Sequence, residues 1–143
     1  MKRLSLGILM AVLIWVILIL NLLAFVHHWY WQYEWFDIPM HFLGGFWLSG
    51  MLVWLFMKGD TIFCARRFPC VAGIILGAFA VGVGWEMFEF GLDTFIMFNM
   101  NDVADTLTDL LMDFLGAVTA YFLFAFRASQ SLSTLTVSED QHA

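Results

Sequence analysis

Seven ionisable side chains fall in stretches otherwise apolar enough to be membrane: Asp37, His41, Glu86, Glu89, Asp105, Asp109 and Asp113. They form three sets at helical spacing, Asp37-x3-His41, Glu86-x2-Glu89 and Asp105-x3-Asp109-x3-Asp113. An ionisable group at the centre of a membrane helix costs roughly 2.5–3.5 kcal/mol on insertion scales, so several against lipid would cost on the order of 10 kcal/mol or more. The groups must therefore face one another, water or a cation. Carboxylates placed close together cannot all ionise without compensation, so they hold protons or take a cation. Oxygen donors with one imidazole nitrogen suit a divalent metal: Mg, Mn or Ca where the carboxylates dominate, Zn or Fe where the histidine does. Di-metal helix bundles set inward Glu residues opposite ExxH pairs. The DxxxH and ExxE pairs here follow similar logic without meeting that signature, and the zinc motif HExxH does not occur.

Helical geometry shows that these groups can meet. At about 100° per residue, Asp105, Asp109 and Asp113 lie within an arc of roughly 80°, and the same face continues as Gly116 and Ala120. Glu86 and Glu89 are i, i+3 neighbours, with Asp93 one turn further along. Asp37 and His41 are i, i+4 neighbours whose face continues at Gly44. Each helix thus carries a polar stripe running into a stripe of small residues, the pattern of a buried seam. At ~1.5 Å per residue, His41 lies roughly 6 Å inside the outer boundary, Asp109 about 9 Å, Glu86 about 10 Å and Asp113 near ~15 Å.

Four apolar spans must position these residues, at about 4–26, 38–57, 69–92 and 103–126, each near the ~20 residues a membrane crossing needs. With 62% hydrophobic and 13% charged residues and a mean hydropathy of +0.85, the chain is outside the range of soluble domains. The expected fold is all-α, a four-span transmembrane bundle over residues 1–127 followed by a disordered cytoplasmic tail at 128–143, rich in Ser and Thr. Lys2, Arg3, Lys58, Arg66, Arg67 and Arg127 all fall on one side of such a bundle. By the positive-inside rule that side, with both termini, is cytoplasmic. The first span is expected to be an uncleaved anchor, since its apolar run exceeds a signal-peptide core of ~7–15 residues and no small-x-small site follows Asn21.

Other features have plainer readings. His27 to Trp35 suits an aromatic belt at the outer interface. Cys64 and Cys70 lack zinc-ribbon spacing, and a reducing compartment predicts two unpaired thiols. Gly44, Gly45, Gly73, Gly77, Gly82, Gly116 and Ala120 are small residues that allow close helix approach. Asp37 and Asp105 stand near the interface, where a solvated helix start explains them nearly as well as a site does. Asp102 suits a helix cap, and Glu34 and Asp93 suit solvated loops. The net charge of −6 belongs largely to the buried cluster, and no basic patch points to nucleic acid.

Asp37-Ile-Pro-Met-His41 with Gly44-Gly45, then Trp85-Glu86-Met-Phe-Glu89, then Asp105-x3-Asp109-x3-Asp113-x2-Gly116, resembles the pattern of small bacterial inner-membrane proteins of the YjdF-like kind, themselves loosely similar to VanZ-like proteins. The resemblance covers the last three spans. It implies a compact multi-helix membrane fold with these acidic and histidine positions as its signature, and it supplies no settled activity.

The residues support an intramembrane carboxylate/His pocket that opens outward and binds a divalent cation (Mg, Mn, Zn or Fe). His41, Glu86, Glu89, Asp109 and Asp113 are the expected ligands, and Asp37 and Asp105 the residues at the mouth or behind the ligands. The leading functional class is a metal-dependent enzyme on a lipid or lipid-linked headgroup, with Glu86, Glu89 or His41 as general base. The outer half, however, offers no Ser or Cys nucleophile and no Lys or Arg for a phosphate. An ion or proton transporter is the first alternative, although the polar stripe ends halfway through the membrane. A structural subunit, its seam completed by a partner helix or a second copy, is the other.

Overall fold

The computed structural model of the chain describes residues 3–58, 61–62, 68–92 and 103–140. Helix α1 (Arg3–Val26) is followed by a one-turn helix α2 (Trp29–Gln32), a 3-10 turn at Glu34–Phe36 and helix α3 (Asp37–Phe56). A small antiparallel ladder, β1 (Met57–Lys58) against β2 (Thr61–Ile62), precedes α4 (Phe68–Leu92) and α5 (Val103–Asp140). Four helical stretches are long and apolar enough to cross a membrane: α1, α3, α4 and residues Val103–Phe124 of α5. The chain's two prolines mark two of the starts. Pro39 and Pro69 stand in the first turns of α3 and α4, where a missing N–H breaks no helical hydrogen bond.

Helix α3 is central, packing on α1, on α4 and most extensively on α5. Its buried positions run Met40, His41, Gly45, Ser49, Gly50 and Val53. On α4 they are Ile74, Ala78, Gly82 and Glu86, each four residues from the next, so one narrow stripe faces inward. On α5 the buried stripe is Asp109, Asp113, Gly116, Ala117, Ala120, Tyr121 and Phe124. Two halves result. At one end Leu6, Met10, Val53, Ile74, Ala120, Tyr121 and Phe124 form an apolar core. At the other end the buried ionisable residues are His41, Glu86, Asp109 and Asp113.

Glycine brings the helices into backbone contact where the polar half begins. A Cβ at Gly45 would collide with the carbonyl oxygen of Asp113, and one at Gly116 with the carbonyl oxygen of Phe42. Gly82 leaves room for the Asp113 carboxyl itself. Gly73, expected to serve the same purpose, has nothing within 4 Å and faces outward. Helix α1 leans on α3, held by the Trp47 indole N–H donating to the Met10 carbonyl at 2.8 Å and by the Arg3 guanidinium 5.1 Å above the Trp54 ring. Large apolar side chains remain exposed along all the long helices, among them Leu18, Leu76 and Phe122, as a lipid-covered surface requires.

Two expectations change here. Residues 128–140 continue α5 as helix rather than standing as an unstructured tail. After Gly116 the sequence contains no glycine or proline to stop it, and Ser and Thr only weaken a helix by tenths of a kcal/mol. Cys70 is not a free thiol but disulfide-bonded. The expectation came from compartment chemistry, which says nothing about proximity; Cys70 sits in the first turn of α4, six residues along the chain from Cys64. Cys64, Asp93 and Asp102 lie outside the described residues.

Candidate functional site

The polar half is organised around one imidazole. His41 projects from the second turn of α3 into the junction with α4 and α5, with 6% of its surface exposed. Its Nε2 lies 3.6 Å from Asp37 Oδ1, one turn earlier on α3, and 3.7 Å from Glu86 Oε1 on α4. Its Nδ1 lies 3.4 Å from Asp113 Oδ2 on α5. Three helices thus meet at a single ring, and a carboxylate stands against each of its nitrogens.

Two sets of ligand atoms converge, each with all its members within 4.8 Å of one another: Asp37, His41 and Glu89, and His41, Glu86 and Asp109. Glu86 and Asp109 are 6% and 2% exposed, yet Glu86 Oε1 and Asp109 Oδ1 have no hydrogen-bond partner. A buried carboxylate oxygen left unpaired costs more than a lost neutral hydrogen bond, about 1–3 kcal/mol or above. Two such carboxylates beside one imidazole form a donor set that keeps an unused hydrogen-bonding oxygen on each acid among the described residues. The Thr106 side chain is within hydrogen-bonding reach of the Glu86 carboxyl, and Trp85 of Glu89.

Of the seven residues singled out from the sequence, His41, Glu86, Asp109 and Asp113 are buried together, and Asp37 and Glu89 are half-buried beside them. Asp105, one turn from Asp109 towards the start of α5, is exposed. Asp113 belongs to neither converging set; it takes the far nitrogen of the ring, as the carboxylate behind a metal-bound histidine commonly does. Asp37, expected at the mouth or behind the ligands, is a member of the outer set.

Sequence reasoning missed Tyr30. Its ring packs edge-on against Phe36 at 5.3 Å, and its hydroxyl donates to Asn21 Oδ1 at 2.5 Å. The Asn21 amide in turn donates to the Ile17 carbonyl at 3.1 Å. Burial, followed by the nearby charges of Asp37 and Glu89, pushes the Tyr30 phenol up to about 12. It therefore stays a neutral donor beside the mouth of the cluster. The signal was Asn21, the one polar side chain near the outer end of α1, whose partner had to come from the aromatic segment that follows.

The family described as "Predicted membrane protein (DUF2238)" matches residues 1–130. The chain belongs to that family. The match bears out the YjdF-like resemblance and extends it over α1, which the quoted motifs do not reach. No curated protein and no solved structure matches the chain. For this DUF2238 protein the site itself therefore carries the functional conclusion.

Proposed function

We propose that the chain is a multi-pass protein of the bacterial inner membrane whose intramembrane His/carboxylate pocket holds a divalent cation. In this reading both termini are cytoplasmic, supported by the basic residues that precede the first span, lie between the second and third and follow the fourth, and the pocket opens outward. The observation that carries the reading is that two buried carboxylates, Glu86 and Asp109, converge with a histidine nitrogen while one oxygen of each has no hydrogen-bond partner among the described residues. Donors that share an ion at about 2.0–2.2 Å stand about 3–3.5 Å apart, close to the 3.6–3.7 Å separations at Nε2. His41 Nε2, Glu86 and Asp109 would hold the ion, while Asp113 fixes the ring by accepting from Nδ1–H. Mg, Mn, Zn and Fe all remain compatible with two carboxylates and one imidazole.

The activity we propose is metal-dependent chemistry on a lipid or lipid-linked headgroup at the outer leaflet. A bound cation would polarise a phosphoryl or carbonyl oxygen and so take the place of the missing outer Lys or Arg. Glu89, half-buried beside the mouth, is the residue free to act as general base, because Glu86 and His41 are engaged as ligands. Transport is the weaker reading. Among the described residues, the one small polar side chain buried beyond Asp113 is Ser49, set against an apolar core, which gives no continuous polar route to the other side.

Elemental analysis of the detergent-purified protein after mild dialysis tests the reading. We expect about one equivalent of one metal in the native protein, lost in Glu86→Gln/Asp109→Asn. Equal metal content in native protein and double variant would overturn it.

A further inference from the structure

The carboxylates around His41 form two sets of different depth. The inner set, His41, Glu86 and Asp109, is wholly buried; the outer set, Asp37, His41 and Glu89, has two half-buried members. The sets share only His41, and Nε2 is the ring atom with a contact to a member of each. Nε2 faces one oxygen from each set, Asp37 Oδ1 at 3.6 Å and Glu86 Oε1 at 3.7 Å, while Nδ1 is turned to Asp113. A neutral imidazole carries one ring lone pair able to bind a cation. With Nδ1–H given to Asp113, that lone pair is on Nε2, and it can serve one ion at a time.

We propose that the centre is a one-ion site with two stations. The outer station, Asp37, Glu89 and Nε2, loads a divalent cation from the aqueous side; the inner station, Glu86, Asp109 and Nε2, is where it rests. The proposal rests on the cation-binding reading above. Each station brings two carboxylates, so either one neutralises a divalent charge with the imidazole uncharged. Two dications at once would have to share a single nitrogen at a separation of a few ångströms, with strong mutual repulsion. The inner station is the resting place because Glu86 Oε1 and Asp109 Oδ1 have no other partner, whereas Asp37 and Glu89 retain contact with solvent. Transfer between the stations needs no new path, since Nε2 belongs to both.

The experiment is cobalt(II) binding to the full chain in detergent, followed by its visible absorbance, with uptake and chelator-driven release measured by stopped flow. Wild type should saturate at one equivalent per chain, a result that does not depend on any variant folding. Glu89→Gln and Asp37→Asn should slow uptake and release together, by about tenfold, with the dissociation constant changed less than about threefold. Glu86→Gln should instead weaken the equilibrium affinity at least about tenfold. Two equivalents at saturation would overturn the proposal while leaving a metal site intact. So would a Glu89→Gln variant that loses affinity as Glu86→Gln does with its uptake rate unchanged. No cobalt binding by wild type would instead refute the cation reading itself, and the two stations with it.

Discussion

Gly116→Ala adds one methyl group at the place where α3 and α5 come closest. The new Cβ would meet the carbonyl oxygen of Phe42, and would stand 2.8 Å from the Phe46 nitrogen and 3.0 Å from the Phe42 carbonyl carbon. All three neighbours are backbone, so no rotamer change relieves them. Carbon contacts are comfortable from about 3.5 Å, and the carbonyl oxygen is the nearest of the three, so the helices must part by roughly 1 Å or more. Overpacking of this kind costs about 1–3 kcal/mol, and rigid backbone neighbours put it towards the upper end. The His41–Asp113 pair, now at 3.4 Å, spans the same two helices and would be drawn out towards about 4 Å. Gly73→Ala is the matched control, because nothing lies within 4 Å of a Cβ there. Alanine's helix gain over glycine, about 0.5–1 kcal/mol, is common to both variants and cancels, so they should differ by the overpacking cost, about 2–3 kcal/mol, with Gly73→Ala the more stable. Unfolding in detergent, followed by circular dichroism against denaturant, measures both. Variants that agree within about 0.5 kcal/mol would refute the claim that backbone contact through glycine sets the α3–α5 spacing.

Asp113→Asn keeps a partner for Nδ1 but removes its charge, so metal affinity should fall about 10–100-fold without being abolished; cobalt titration reads this. Tyr30 should show no phenolate in its ultraviolet absorbance until near pH 12. Because its folded-state value is raised above the unfolded 10.0, its contribution to stability is complete below pH 10 and is lost as pH rises towards 12. In Tyr30→Phe that high-pH loss should shrink. Ser49→Ala should be neutral or stabilising by up to about 1 kcal/mol, since Ser49 Oγ is fully buried with no partner; equilibrium unfolding measures it.

Periodicity was enough to find the helices and their inner faces. The stripes Ile74–Ala78–Gly82–Glu86 and Asp109–Asp113–Gly116–Ala120 follow directly from 3.6 residues per turn, and their charges had nowhere to go but inward. What periodicity cannot carry is the identity of a partner across the bundle. It placed Asp113 on the right face but could not tell which ring nitrogen it meets; the fold sets it against Nδ1 and brings Asp37 to Nε2. Tyr30 was illegible for a related reason. An aromatic belt explains a tyrosine at the interface adequately, and only the fold brings its hydroxyl to Asn21 and its ring near Asp37 and Glu89. Small residues misled at Gly73, because a glycine on a membrane helix does not itself say which side another helix occupies.

A seam kept only for packing would pair its polar groups with one another. Here the three contacts of His41 span 3.4–3.7 Å, longer than the about 2.7–2.9 Å of charge-assisted hydrogen bonds. Loose helix packing does not account for the difference, since Gly45, Gly82 and Gly116 already bring backbone and carboxyl atoms of the same helices into contact around Asp113. Buried ion pairs are in any case poor stabilisers, often matched or bettered by apolar residues of similar size. Ser49, one step deeper, shows that this bundle tolerates an unpaired hydroxyl, but a hydroxyl costs far less to strand than two carboxylate oxygens do. Stability alone gives no reason to keep Glu86 and Asp109 buried beside His41, which is the ground on which the proposed cation site rests.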